Sequence, residues 1–395
     1  MVRTDQLRRL TVRALPALGV AVAYYAFGQL GLVRQVRVEG AIVTPLWPPT
    51  GVALGCLLHL GLGVWPGISL GALLSIVTIS TFHPADVVII AGNTLAPVCA
   101  YLMLRRAGFR LEVDRLRDGV ALVFLGALGG MLISATVGTG VLVLSDRLPH
   151  HGFWPTWTAW WTGDAMGVLV VTPLLLLLRR VRLPGTGDRA GGADRDGTDR
   201  SGADGDGADR ARRHGGRWAE AAALLVTAVI VTLVAARSPL CLLFLVFPLL
   251  IWAALRFQLA GSAPCALLVS VVVIWAATDH VGPFTHHDLT ETMISIQALN
   301  GSVALTGLLL AAIVTEQRNI RRKVEQACME LAEVVGHLAP DPPGRRTGSG
   351  LSGNGAEGST AEGSPSEGSP SEGRASEGRT SEGRTAEGRD DGPRG

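Results

Sequence analysis

The sequence predicts an all-α fold, a polytopic transmembrane helix bundle, on three observations. Residues 1–183 and 217–315 are dominated by apolar runs with few interior charges, and about twenty consecutive apolar residues suffice to cross a bilayer. The arginines between those runs cluster in alternate loops, as the positive-inside rule requires of a membrane protein. The stretches WPPTGVALG from Trp47 and WPGISLGA from Trp65 each join Trp-Pro to two glycines four residues apart, a spacing that opens one helix face to close approach by another. A soluble core is excluded by the first observation.

Ten candidate spans follow in order: 11–33, 49–63, 65–80, 86–104, 119–145, 160–178, 218–236, 239–255, 260–278 and 292–315. The second and third are short and interrupted by Gly and Pro, so a count of eight stays open. Arg3, Arg8, Arg9 and Arg13 lead into span one with no Ala-x-Ala cleavage site, and no signal peptide is expected there. With the N-terminus inside, Arg105, Arg106, Arg110, Arg115 and Arg117 fall inside after span four. Arg179, Arg180 and Arg182 follow span six, and Arg318, Arg321, Arg322 and Lys323 follow span ten. Only Arg34, Arg37, Arg147 and Arg237 lie outside. Both termini are therefore expected in the cytoplasm, with the chain in a bacterial plasma membrane.

Trp-Pro has a physical meaning at each span start. Indole rings favour the membrane–water boundary, and Pro suits the first helical turn, whose N–H groups have no partner. The pairs Gly51/Gly55, Gly67/Gly71 and Gly163/Gly167 then mark faces packed inside the bundle.

The segment 184–217 is Gly, Asp and Arg without apolar pattern and reads as a disordered cytoplasmic loop within the membrane region 1–315. Residues 316–339 form a charged helix in which Ile320, Val324, Ala327, Leu331, Val334 and Leu338 recur at steps of four and three. That seam fits a parallel homodimer, and equally an amphipathic helix resting on the membrane or on its own bundle. The tail 340–395 is a polar low-complexity repeat that stays solvated. None of the five cysteines has Cys-x-x-Cys spacing, so neither a disulfide framework nor a zinc site is indicated.

Four blocks in succession carry a resemblance: LWPPTGVALGCLLHLGLGVWPGISLGALL, AGNTLAPVCAYLMLRR, WWTGDAMGVLVVTPLLLL and FPLLIWAALRFQLAGSAPCALLVSVVVIWAATDHVGPF. Over about residues 10–318 the chain resembles the MASE-one family (membrane-associated sensor, first type) of bacterial integral membrane sensory domains. The resemblance implies a sensory module of the kind fused to cytoplasmic diguanylate cyclase or histidine kinase domains. Residues 316–395 hold no GGDEF or EAL string and no ATP-binding Gly-rich box. The expected output is thus a separate cytoplasmic protein of the kinase or cyclase class.

Candidate signal or ligand groups are few. Asp164 is a carboxylate near a membrane interior, where a charge costs about 2.5–3.5 kcal/mol even on the lenient insertion scale. Its place four residues into span 160–178 also fits an acid at a helix start, favoured by the dipole and still wet. Trp161, Thr50 and Asn93 join it as candidates. Asn93, like Asn300, also suits a role in holding two helices together. Six histidines, including His150, His151, His286 and His287, fall in outside loops. They are weak metal or pH candidates without a defined ligand spacing.

The expectation is a membrane sensory module with no catalysis of its own, no cofactor and no nucleic-acid partner. Its partners are the bilayer, a second copy through the seam, and the separate output protein. A secondary transporter of a small solute is the alternative, because short Gly/Pro-interrupted spans also mark transport sites.

Overall fold

A computed structural model describes residues 2–33, 35–38, 41–181, 203–238, 242–279 and 289–338. The chain is a multi-pass helical membrane protein. Among the described residues, eight helices are long and apolar enough to cross a bilayer, and two further apolar helices are shorter.

Helix α1 (Val2–Leu32) leads to a small antiparallel hairpin, β1 (Val36–Val38) and β2 (Ala41–Val43). The sequence reading did not foresee this hairpin. Helix α2 (Pro48–Leu60) has Pro at its first two positions and α3 (Trp65–Ile79) begins at the second Trp-Pro, as the start rule predicts. Gly61, at φ +81°, makes the turn between them. Next come α4 (Asp86–Arg106), α5 (Leu116–Ala121), a π-helical stretch (Leu122–Gly129) and α6 (Gly130–Leu144), the last three in unbroken succession. Helix α7 (Phe153–Val181) follows a short turn at His150–Gly152. Then come α8 (Ala203–Arg237), α9 (Val246–Phe257), α10 (Leu259–Thr278) and α11 (Leu289–Leu338).

Four expectations need correction. The two short helices are α2 and α9; the third candidate span, with its leading turn, is long enough to cross. Residues 203–217 of the supposed loop belong to α8, where extending an existing helix needs no new nucleus. Residues 184–202 and the tail from 340 lie outside the described residues. The tenth span and the charged helix are one helix, α11, of 50 residues. Charges end a membrane crossing but not a helix, so the Glu316–Arg318 boundary marks the lipid surface without breaking the backbone. Finally, α7 begins at Phe153 and not near Trp160, which moves Asp164 deep into the helix.

Glycine contacts fix how the helices run. A Cβ added at Gly67 would strike the carbonyl of Ala17, and one at Gly71 would meet Tyr24 Cβ at 2.7 Å. Gly28 faces Ser75, and Gln29 bonds Thr78 at 3.1 Å. Residue numbers rise together, so α1 and α3 are parallel. The same argument holds for α2 and α7: Gly51 abuts the Gly167 carbonyl and Gly55 abuts Leu175. Every glycine of the three predicted pairs lies against another segment of the chain. The lipid-facing surface falls instead on residues such as Leu15, Leu18, Val22, Val226 and Ile230, which are exposed.

Candidate functional site

The start of α2 sets the geometry. The Trp47 amide donates to the Gly163 carbonyl at 3.0 Å, and Gly163 lies ten residues past the first residue of α7. At 1.5 Å per residue that is about 15 Å along the axis. Helix α2 thus starts part-way along α7, and its 13 residues cover only about 20 Å, less than a bilayer core. The extended chain after β2 leads to that start. The Thr50 hydroxyl donates to Trp47 O at 2.8 Å, with the Asp164 carbonyl 3.0 Å away as a second acceptor. Thr172 donates to Gly51 O at 3.1 Å. A Cβ at Gly167 would collide with the Trp47 carbonyl, and one at Gly163 would come within 2.5 Å of the Thr44 carbonyl. Glycine is required at these positions because backbone meets backbone.

Asp164 is 1% exposed. The Ser134 hydroxyl of α6 donates to its Oδ2 at 2.5 Å, while Oδ1 has no hydrogen-bond partner. Eleven residues into α7, it is beyond the first turn, where the helix dipole acts. The wet-helix-start reading fails on both counts.

A cavity of about 560 Å³ has Asp164 in its lining. Tyr24, Asn93, Gly163 and Asp164 line its buried part, and Ser80, Thr81 and Arg147 line its exposed rim. The rim lies at the end of the bundle that carries the hairpin. Its walls are Trp47, Trp160, Ile76 and Ile89. Asn93 is thus brought to Asp164's cavity, and Thr50 braces the backbone beneath it. Trp161 is not part of the lining. Its indole N–H donates to Leu128 O in the π-helical stretch at 2.8 Å, and its ring stacks on Trp157. Trp161→Phe removes that donor. We expect it to cost about 1 kcal/mol of stability, read as a small drop in melting temperature in detergent.

The sequence reading missed two cavity residues of consequence. Trp160 forms a wall and packs its ring against Gly138 of α6. Asp86, at the first position of α4 and 1% exposed, pairs with Arg147 at 2.5 Å and accepts the His83 amide at 2.9 Å. Helix-start Asp and loop Arg each look ordinary in sequence, and no spacing signals that they meet. His150 and His151 are exposed, and His280, His286 and His287 lie outside the described residues. Among the described residues, no group of three or more His, Cys, Asp or Glu could hold a metal ion.

In α11, Gly301 faces Met166 of α7, two residues past Asp164. Asn300 beside it is fully buried, with neither amide atom bonded. Further along, Glu316 accepts the Leu116 amide at 2.9 Å, and Arg318 donates to Leu255 O at 2.5 Å. Past those ties Ile320, Val324, Leu331 and Val334 are exposed, Leu331 at 65%.

Comparison with known proteins gives one match. The family model described as MASE1 aligns with residues 17–318. No curated protein and no solved structure matches the chain.

Proposed function

We infer that, since this chain belongs to the MASE1 family of membrane-associated sensory domains, its stimulus is a molecule entering the Asp164 cavity and its output is a movement of α11. The observation that carries the reading is one continuous helix. It touches α7 next to Asp164 and runs without a break to an apolar seam that is exposed among the described residues. A ligand biases such a helix only through unequal affinity for its two positions, and the Gly301–Met166 contact is where that inequality would act. By the charge pattern, the hairpin end faces outside and the seam lies in the cytoplasm. There it meets an output protein of the kinase or cyclase class, or a second copy of this chain.

Photo-cross-linking from position 331 in living bacteria tests the relay. The expected adducts are with a cytoplasmic signalling protein or with a second copy. Val324→Pro should abolish them while leaving the amount of inserted protein unchanged, because Pro kinks an exposed helix at about 3 kcal/mol without touching the bundle. Adducts that survive Val324→Pro would remove the relay.

A second reading has its own support. A short helix that starts part-way along its neighbour, beside a buried carboxylate, is also the construction of transport sites. Solute flux into reconstituted vesicles that Asp164→Leu eliminates would favour transport over sensing.

A further inference from the structure

The geometry points to a ligand class for the cavity: a small organic cation, with a primary or secondary ammonium on an apolar body, donating to Asp164 Oδ1. The inference rests on the reading of this cavity as the sensory site.

The unpartnered oxygen is the first ground. Asp164 Oδ1 is buried and has no donor, and native structures rarely leave such an atom unpaired. A charge-assisted N–H donor is its strongest complement. The second ground is that the adjacent helix start cannot supply one. The first two residues of α2 are Pro48 and Pro49, which carry no N–H, and the Trp47 amide is committed to Gly163 O. Third, the ionisable groups lining the cavity are Tyr24, Asp86, Arg147 and Asp164. Arg147 is held by Asp86, so the carboxyl group left without a basic partner is that of Asp164. An anion would meet that carboxylate with no free cation beside it.

A metal ion fits no better, since no cluster of ligating groups is present among the described residues. The walls supply the last ground. Tyr24, Trp47, Trp160 and Ile89 pack an organic body, and aromatic faces attract ammonium groups. A volume of about 560 Å³ lies within the range of small-molecule sites.

The test uses the full chain in lipid nanodiscs and calorimetric titration with three probes of one body: 2-phenylethylamine, 2-phenylethanol and phenylacetate. The amine should bind roughly tenfold or more tightly than the alcohol, and phenylacetate more weakly than either. Asp164→Asn, which keeps an oxygen for Ser134, should weaken the amine about tenfold and leave the alcohol unchanged. An unaltered melting curve verifies the fold of that variant. Should it not fold, the amine-to-alcohol ratio on the unmodified chain still decides. Equal affinity for amine and alcohol, or a preference for phenylacetate, overturns the ammonium assignment while leaving the cavity as a binding site. The absence of binding by all three at millimolar concentration overturns the ammonium assignment and the cavity reading together. Cross-linking from position 331 uses none of these probes, so failure of the relay is seen separately.

Discussion

Gly167→Leu should yield no folded protein, and Gly167→Ala should cost about 3 kcal/mol or more. Overpacking a well-fitted core costs about 1–3 kcal/mol when side chains can shift. Here the obstacle is the Trp47 carbonyl, with the Thr50 hydroxyl 2.5 Å from the added Cβ, and the Trp47 backbone is itself pinned by its bond to Gly163. Relief would require separating α2 from α7 along a seam that also includes Gly51. The loss would appear despite the roughly 1 kcal/mol that Gly→Ala adds in helix propensity. Gly140→Ala is the control, because nothing lies within 4 Å of a Cβ there. The measurement is the fraction of monodisperse protein after detergent extraction, with melting temperature for the alanine variants. A Gly167→Ala protein as stable as Gly140→Ala would mean that α2 and α7 do not touch.

Arg147→Leu should destabilise the protein by about 2–3 kcal/mol. Removing one partner of a buried ion pair typically costs about 3–5 kcal/mol because the other charge is left uncompensated. Asp86 is the buried member, while the Arg147 side chain is 29% exposed, and the His83 amide continues to donate to Oδ2. The expectation therefore sits below the full range. Adding Asp86→Asn removes the stranded charge, so the double variant should recover most of the loss. That non-additivity is the signature of contact between the two residues. Thermal unfolding of the two single variants and the double variant decides the matter; purely additive losses would rule the pair out.

What the sequence made visible was the chemistry that repeats at fixed spacing. Glycines four apart announced close-packed faces, and each face has an opposing helix. Trp-Pro announced two helix starts, and both are real. Depth was harder to read. The stretch FWPTWTAWW mixes Thr and Pro among aromatics, so an apolar window opens at Trp160 and hides the first two turns of α7. Asp164 then looks like a residue near the surface. Charge misled in the opposite sense at Glu316, where the end of an apolar run was taken for the end of a helix. Asp86 and Arg147 are 61 residues apart and carry no shared pattern. Only the fold brings them together, so no reading along the chain could pair them. Trp160 was passed over for its neighbour Trp161 because adjacent helical residues point about 100° apart, and which of the two faces the cavity depends on how α7 is rotated.

The internal start of α2 also bears on how the protein is made. Too short to span and opened by two prolines, α2 makes a poor independent passenger for the insertion machinery, and it should leave the channel joined to α3 as a hairpin. The surface it must cover, from Gly163 to Leu175, emerges more than a hundred residues later. At a synthesis rate of about 5–20 residues per second, the Gly51 face waits roughly 6–23 s for its partner. During that interval the nascent chain exposes backbone to lipid, and there a glycine variant would be lost to quality control before it ever met a stimulus.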